Sequence, residues 1–110
     1  ESPSPMHERI SEVVRYINKN YMYELSLQSV ADKFYVSPYY LSRFFKEVTG
    51  FTFVEYLNNV RIKEAKKLLE SSSIKVNLIY KKVGFGSVTH FGRVFKSVTG
   101  FAPLHYRKRG

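Results

Sequence analysis

Two arginine–lysine pairs, Arg43 with Lys46 and Arg93 with Lys96, recur fifty residues apart inside almost the same nonapeptide. Arg43-Phe44-Phe45-Lys46-Glu47-Val48-Thr49-Gly50-Phe51 and Arg93-Val94-Phe95-Lys96-Ser97-Val98-Thr99-Gly100-Phe101 are identical at seven of nine positions. A guanidinium is a planar fork that matches two adjacent acceptors, such as O6 and N7 of guanine, whereas an ammonium is a point charge suited to phosphate oxygens. Catalysis finds few candidates. His7, His90 and His105 are isolated and lack metal-ligand spacing. There is no phosphate-binding glycine loop, no nucleophile elbow and no obvious carboxylate pair in a cleft. The 110 residues include no cysteine, which excludes a disulfide framework, a thiolate zinc site and a cysteine nucleophile, and fits a reducing cytoplasm. Neither an enzyme nor a cofactor nor a metal site is expected.

Charge narrows the partner. Residues 1–55 carry six basic and seven acidic side chains, and residues 56–110 carry twelve basic and two acidic ones. A basic half-domain attracts polyanions, because each neutralised phosphate releases condensed counterions. Anionic lipid competes as a partner only if an exposed apolar face lies beside the cations, and solubility alone is the plainest explanation of the charge. No apolar run approaches the ~18 residues of a membrane span. With 44% hydrophobic residues, the chain suits one globular domain. Its opening Glu1-Ser2-Pro3-Ser4-Pro5 has neither an initiator Met nor signal-peptide order. Residues 1–5 therefore read as a linker remnant of a longer protein, and residues 6–110 as the domain.

The elements that must position the repeated cations are helices, since apolar residues recur at spacings of three and four and glycine and proline cluster at boundaries. Ile10, Val13, Val14 and Ile17 predict a first helix over about 6–20. Ser26 caps a short helix with Leu27, Val30, Ala31 and Phe34 inward. Ser37 and Pro38 open a longer one with Leu41, Phe44, Phe45 and Val48 inward, and Gly50 stops it. Thr52 and Glu55 form a capping box that starts the longest helix, about 52–71, which the Ser71–Ser73 run closes. Val76, Ile79, Tyr80 and Val83 mark a second short helix. Ser87 caps the next, with Phe91, Val94, Phe95 and Val98 inward and Gly100 as its stop. Pro103 begins a last turn around Leu104 and Tyr106. About seven helices result, in an all-α fold.

The short helices repeat as well, at an offset of forty-nine, pairing Val30 with Ile79 and Phe34 with Val83. One extra residue therefore sits in the second turn, Val83-Gly84-Phe85-Gly86-Ser87 against Phe34-Tyr35-Val36-Ser37. Each copy reads as short helix, tight turn and longer capped helix, the order of a helix-turn-helix, over about 27–49 and 76–99. Helical hairpins without DNA also share this shape.

These residues resemble the AraC/XylS family of bacterial transcription regulators, specifically its DNA-binding domain. The pattern runs through Leu25-Ser26-Leu27, Val30-Ala31, Val36-Ser37-Pro38-Tyr39-Tyr40-Leu41-Ser42-Arg43, Phe45-Lys46 and Thr49-Gly50. It continues in Tyr56-Leu57, Arg61-Ile62, Ala65-Lys66, Leu68-Leu69 and Val83-Gly84-Phe85, and closes with Phe91, Arg93, Phe95-Lys96, Gly100, Pro103 and Tyr106-Arg107. The resemblance implies two helix-turn-helix subdomains joined by a long linker helix. It also implies sequence-specific binding to a double-stranded operator, with two recognition helices in successive major grooves, and an N-terminal sensing or receiver domain in the same chain.

With one stripe buried, helical geometry turns Tyr39, Ser42, Arg43 and Lys46 outward, and Thr89, Gly92, Arg93 and Lys96 in the second copy, with Val88 at the first turn. The resemblance likewise implies base reading from the positions of Tyr39, Ser42, Arg43, Thr89, Gly92 and Arg93. Tyr39 and Val88 suit thymine methyls, and Lys46 and Lys96 suit phosphates. Ser37 and Ser87 stand at helix starts able to receive phosphate. Tyr40 and His90 lie on a flank open to either packing or phosphate. The competing reading of each is a solvated helix face. Tyr80 stands where the family usually has Ala, Ser87 where an acidic or Asn cap is frequent, and Gly92 where a polar residue is common. The expected outcome is a division of labour in which the first motif reads bases and the second anchors phosphate, helped by Lys75, Lys81, Lys82 and Arg107-Lys108-Arg109.

A connector of roughly twenty residues spans about 30 Å against the ~34 Å between successive major grooves. Arg61, Lys63, Lys66 and Lys67 on it read as a solvated face, with Arg61 alternatively tied to the first motif. Two other classes compete. A sequence-neutral binder would stack bases on exposed rings, but Phe34, Phe44, Phe45, Phe91 and Phe95 fall on inward stripes. A helical protein-interaction module, docking for instance on RNA polymerase, would use Glu8, Glu12, Glu24 and Asp32. The chain itself is expected to be monomeric.

Overall fold

Hydroxyl side chains set where most of the helices begin. Ser4, Ser26, Ser37 and Ser87 each have extended backbone and accept the N–H three residues on, from His7, Ser29, Tyr40 and His90, at 3.0–3.1 Å. One orphan donor of each first turn is thereby satisfied. Thr52 and Glu55 make the reciprocal box, Glu55 N–H to Thr52 Oγ1 at 3.1 Å and Thr52 N–H to the Glu55 carboxylate at 2.8 Å. The computed structural model describes residues 4–109. Among these lie seven helices and no strand: α1 (Pro5–Asn20), α2 (Leu27–Lys33), α3 (Pro38–Thr49), α4 (Phe53–Ser71), α5 (Val76–Lys82), α6 (Val88–Thr99) and α7 (Pro103–Arg109). Pro5 already occupies the first helical turn, where its missing N–H costs nothing, and Ser4 caps it, so these two residues belong to α1 rather than to a linker. The rest of the segment read as a linker, residues 1–3, lies outside the described residues.

The chain divides into two compact units, with the boundary between Leu57 and Asn58 inside α4. In the first, α1 and α2 pack on α3. Its core is Ile10, Val13 and Ile17 from α1, Val30 and Ala31 from α2, Leu41 and Phe45 from α3, and Phe53 and Leu57 from the start of α4. Phe45 meets Phe53 and Tyr56 edge-on, with centroids 5.9 and 5.5 Å apart. In the second, α5 and α7 pack on α6, around Ile62, Ala65, Leu69, Ile79, Val83, Phe85, Phe91, Phe95 and Pro103. Phe95 meets Tyr106 as Phe45 meets Tyr56, edge-on at 5.4 Å.

The repeated Thr-Gly-Phe is a helix-ending device. Gly50 and Gly100 adopt φ of 83° and 87° and donate to the Lys46 and Lys96 carbonyls at 2.8 Å. The hydroxyls of Thr49 and Thr99 donate to the Phe45 and Phe95 carbonyls at 2.7 and 2.8 Å and accept the N–H of Phe51 and Phe101. Each short helix also ends in one geometry. Val36 N–H reaches Ala31 C=O and Tyr35 N–H reaches Asp32 C=O, as Phe85 reaches Tyr80 and Gly84 reaches Lys81. This is a Schellman pairing, which needs a left-handed residue at its centre. Gly84 supplies it at φ 103°, but the first copy uses Tyr35 at φ 57°, a conformation costing an L-residue about 1–2 kcal/mol.

Some inward assignments shift. Phe34, Phe44, Val48, Val76, Tyr80 and Val94 are half-buried rather than core, and the Tyr80 ring stays partly exposed. Val98 is 49% exposed, so the inward stripe of α6 stops at Phe95. The buried face of α7 runs through Pro103, Tyr106 and Arg107, at spacings of three and four, which leaves Leu104 outside. Arg107 is the larger departure. It donates to the carbonyls of Leu68, Leu69, Ser72 and Ile74 at and beyond the end of α4, where a helix terminus leaves carbonyls such as that of Leu69 without an intrahelical donor.

Two predictions follow from these contacts. Arg107→Gln is expected to lower the urea-measured unfolding free energy by about 2–3 kcal/mol, the scale of charge-assisted hydrogen bonds. Arg107→Lys should recover less than half of that loss, because an ammonium lacks the fork that spans several carbonyls. The Thr52 N–H first, then the Thr52 hydroxyl, with the Lys46 charge adding, holds the Glu55 carboxyl below its ordinary pKa. A lowered carboxylate contributes stability above the unfolded-state pKa and loses it as pH falls through the folded value. Glu55→Gln keeps an acceptor in the box, so it should specifically flatten the acid side of the stability–pH curve.

Candidate nucleic-acid interface

Burying Leu41 and Phe45 fixes the rotation of α3 about its axis, and this decides what faces outward. Ser42, Arg43 and Lys46 are exposed, and Tyr39 is 72% exposed. The Arg43 guanidinium lies over the Phe44 ring, 5.5 Å from its centroid, and Phe44 in turn packs against Tyr40 at 4.6 Å. Tyr40 is thus half-buried in a ring stack that supports Arg43. Ser37 is exposed, with its Oγ occupied by the Tyr40 N–H. Pro38 has no N–H, so Tyr39 alone offers an unpaired backbone donor in this first turn.

The second copy keeps the arrangement and changes its furnishing. Phe91 and Phe95 are buried, and Val88, Thr89, Arg93 and Lys96 are exposed. Arg93 precedes Val94 instead of a ring, and among the described residues its guanidinium has no partner in the chain. Gly92 is half-buried, and a Cβ built there meets nothing within 4 Å. Ser87 is exposed and accepts from His90 N–H at 3.1 Å, while the His90 ring sits edge-on to Phe85 at 5.6 Å. Val88 and Thr89 both keep unpaired N–H groups, so α6 presents two backbone donors at its start where α3 presents one.

Other cations separate into used and unused. Arg61 is only 8% exposed, with its guanidinium over the Phe85 ring at 5.7 Å, and desolvation draws its pKa below the ordinary arginine value. The expectation of a solvated face fails at this residue, because the long stem lets the cation reach an aromatic ring inside the fold. Arg107 is likewise withdrawn from the expected phosphate-holding tail by its four carbonyls. Lys67 pairs with Glu64 at 3.1 Å, Lys66 lies 6.0 Å from the Tyr106 ring centroid, and Arg109 lies 4.4 Å from that of Phe101. Lys63, Lys75, Lys81, Lys82 and Lys108 are exposed.

One exposed residue was not among the expected site residues. Tyr35, 92% exposed, stands at the left-handed position between α2 and α3. Its only signal in the sequence is that it aligns with Gly84 in the other copy. Among the described residues no group of three or more His, Asp or Glu side chains is placed to hold a metal ion. No helix among them is long and apolar enough to cross a membrane.

Comparison with known proteins agrees with this architecture. Residues 30–109 match the family described as a helix-turn-helix domain. The chain is 36% identical over 104 residues to the bifunctional transcriptional activator/DNA repair enzyme AdaA of Bacillus subtilis, covering 94% of this chain and 49% of that protein. The chain thus spans about half the length of this relative. Among solved structures, it superposes with TM-score 0.91 and 32% identity on the C-terminal domain of AraT, a response regulator from Geobacillus stearothermophilus, covering 100% of this chain and 89% of that one. It also superposes with TM-score 0.87 and 26% identity on the DNA-binding domain of AdpA, a global transcriptional factor solved in complex with a target DNA, covering 91% and 90%. With a family match over most of its length and the paired helix-turn-helix units in place, the chain belongs to the AraC/XylS family of transcription regulators.

Proposed function

We propose that this chain binds double-stranded DNA sequence-specifically as the DNA-binding part of a transcription regulator, α3 and α6 each entering a major groove. One observation carries the reading. In both units the longer hairpin helix is locked by large buried side chains on one side, Leu41 and Phe45 or Phe91 and Phe95, and on the other it exposes an arginine and, three residues on, a lysine. A rigid helix with a fork near its N-terminal half and a cation near its C-terminal half suits base edges and phosphates respectively. The relative described as a transcriptional activator and the similar domain solved with its target DNA support the same class. Such a role belongs in the bacterial cytoplasm, beside the chromosome.

Within it, Tyr39, Ser42 and Arg43 form the reading set of the first motif, and Val88, Thr89, Gly92 and Arg93 that of the second. Ser37, Tyr40 and Lys46, with Ser87, His90 and Lys96, form the phosphate-binding sets. The two motifs have different equipment. Arg43 rests on Phe44, so less side-chain freedom is lost when it forks onto a base. Arg93 lacks that support, while the start of α6 has the additional backbone donor that phosphate uses. The first motif therefore dominates the reading, and the second, whose own set also faces the groove, chiefly anchors.

Selection of random duplexes on the 110-residue chain is expected to return one base-specific sequence. On that duplex, Arg43→Ala should flatten preference at one base pair by about 1–3 kcal/mol, and Arg93→Ala should weaken binding evenly across sequences with a shallower salt dependence. The reverse pattern would discard the division of labour. Selection of no duplex would discard the function. Gly92→Ala introduces a Cβ into open space, so α6 should gain about 0.5–1 kcal/mol in stability. The same methyl stands between helix and groove, so affinity should fall, and unchanged affinity would remove Gly92 from the reading set.

A further inference from the structure

Tyr35 holds a conformation that the fold gives no reason to assign to a tyrosine. Its φ of 57° makes it the one non-glycine residue with positive φ among those described. The equivalent position of the second motif meets the same Schellman geometry with Gly84, so glycine satisfies this turn without strain. A large ring often offsets backbone strain by packing, but this one is 92% exposed. Its backbone N–H closes the turn on the Asp32 carbonyl, and among the described residues its hydroxyl has no partner in the chain. Strain retained at an exposed aromatic residue, with no return inside the molecule, points to a partner outside it.

The surroundings indicate which partner. Tyr35 lies two residues before Ser37, the cap of α3, and Tyr39 in the first turn of α3 is also exposed. Two residues of chain reach at most ~7 Å, so the phenol begins beside the helix start that the proposed function brings to the groove. Phosphate oxygens flanking a groove accept hydrogen bonds from tyrosine hydroxyls as readily as from serine or threonine. We propose that Tyr35 is a DNA-backbone contact of the first motif, its hydroxyl donating to a phosphate beside the groove that α3 enters. This rests on the DNA-binding reading. The tyrosine carries no charge, so it adds affinity without adding to counterion release.

Two variants test it, Tyr35→Gly and Tyr35→Phe, on the duplex selected by the unsubstituted chain. Tyr35→Gly should raise the thermal unfolding midpoint, because it relieves the left-handed strain, yet bind that duplex roughly 3- to 10-fold more weakly, the range of one lost hydrogen bond. Tyr35→Phe should leave the midpoint unchanged and lose affinity to the same extent. Both should keep the base preference and the slope of affinity against salt. If Tyr35→Phe binds as tightly as the unsubstituted chain, the phosphate contact is overturned. If Tyr35→Gly also binds as tightly, the ring has no part in DNA binding, although the DNA-binding reading stands. An unsubstituted chain that selects no duplex overturns both.

Discussion

The structure depends on how α3 and α6 are prevented from turning about their own axes. Phe45 and Phe95 are fully buried, and each is held edge-on by a tyrosine of the following helix, Tyr56 or Tyr106. Burying one such ring is worth about 1.5–3 kcal/mol, and a well-oriented aromatic pair adds about 0.5–1.5 kcal/mol. A helix rotated by one residue, about 100°, would forfeit both terms and, in one of the two directions, carry Lys46 or Lys96 into the core. The outward face is therefore a consequence of the inward one. The same rings explain why Thr49 and Thr99 cap onto the Phe45 and Phe95 carbonyls, since the stop is registered to the residue that sets the rotation.

The two copies have kept the parts that make a helix pair and changed the parts that face outward. The serine cap of the longer helix, the Schellman turn, the glycine stop and the edge-on tyrosine occur in both, whereas the short helix is side-chain capped only in the first. The differences lie in what a ligand would meet: Tyr35 against Gly84, Phe44 against Val94 beneath the arginine, Ser42 against Gly92. One copy is strained and ring-supported, and the other is open, with more backbone donors. The core differs too, with Leu41 against Phe91 and Ala31 against Tyr80, so the two copies reach the same helix pair with different packing as well as different outward faces.

Much of this was legible in the sequence because it is local. A serine before a helical stripe, a Thr-x-x-Glu pair and a glycine after the last turn each act over a few residues. They placed α2, α3 and α6 almost to the residue, and the internal repeat supplied the motif order. The resemblance to AraC/XylS regulators added the family, which residue patterns alone left open against other helical hairpins. What stayed hidden depends on distant partners. Arg107 looked like a tail cation, since nothing near it in the chain reveals carbonyls more than thirty residues away. Arg61 looked solvated until Phe85 folded beneath it. Tyr35 is local but silent, because tyrosine gives no sign of positive φ unless it is aligned with the glycine of the other copy.

These internal uses change what the charge asymmetry means. Counting cations in the second half of the chain treats every one as available to a polyanion. Arg107 is committed to the end of α4 and Arg61 to a buried ring. Cations committed in this way displace no counterions when a phosphate arrives, so they add fold rather than affinity. The exposed remainder comprises Arg93 and Lys96 on α6 and Lys75, Lys81 and Lys82 around α5, the helix pair with the extra backbone donors, together with Lys63 and Lys67 on α4 and Lys108 and Arg109 on α7. In the proposed division of labour, what each motif brings to anchoring depends on which basic residues the fold leaves unused, more than on how many the sequence contains.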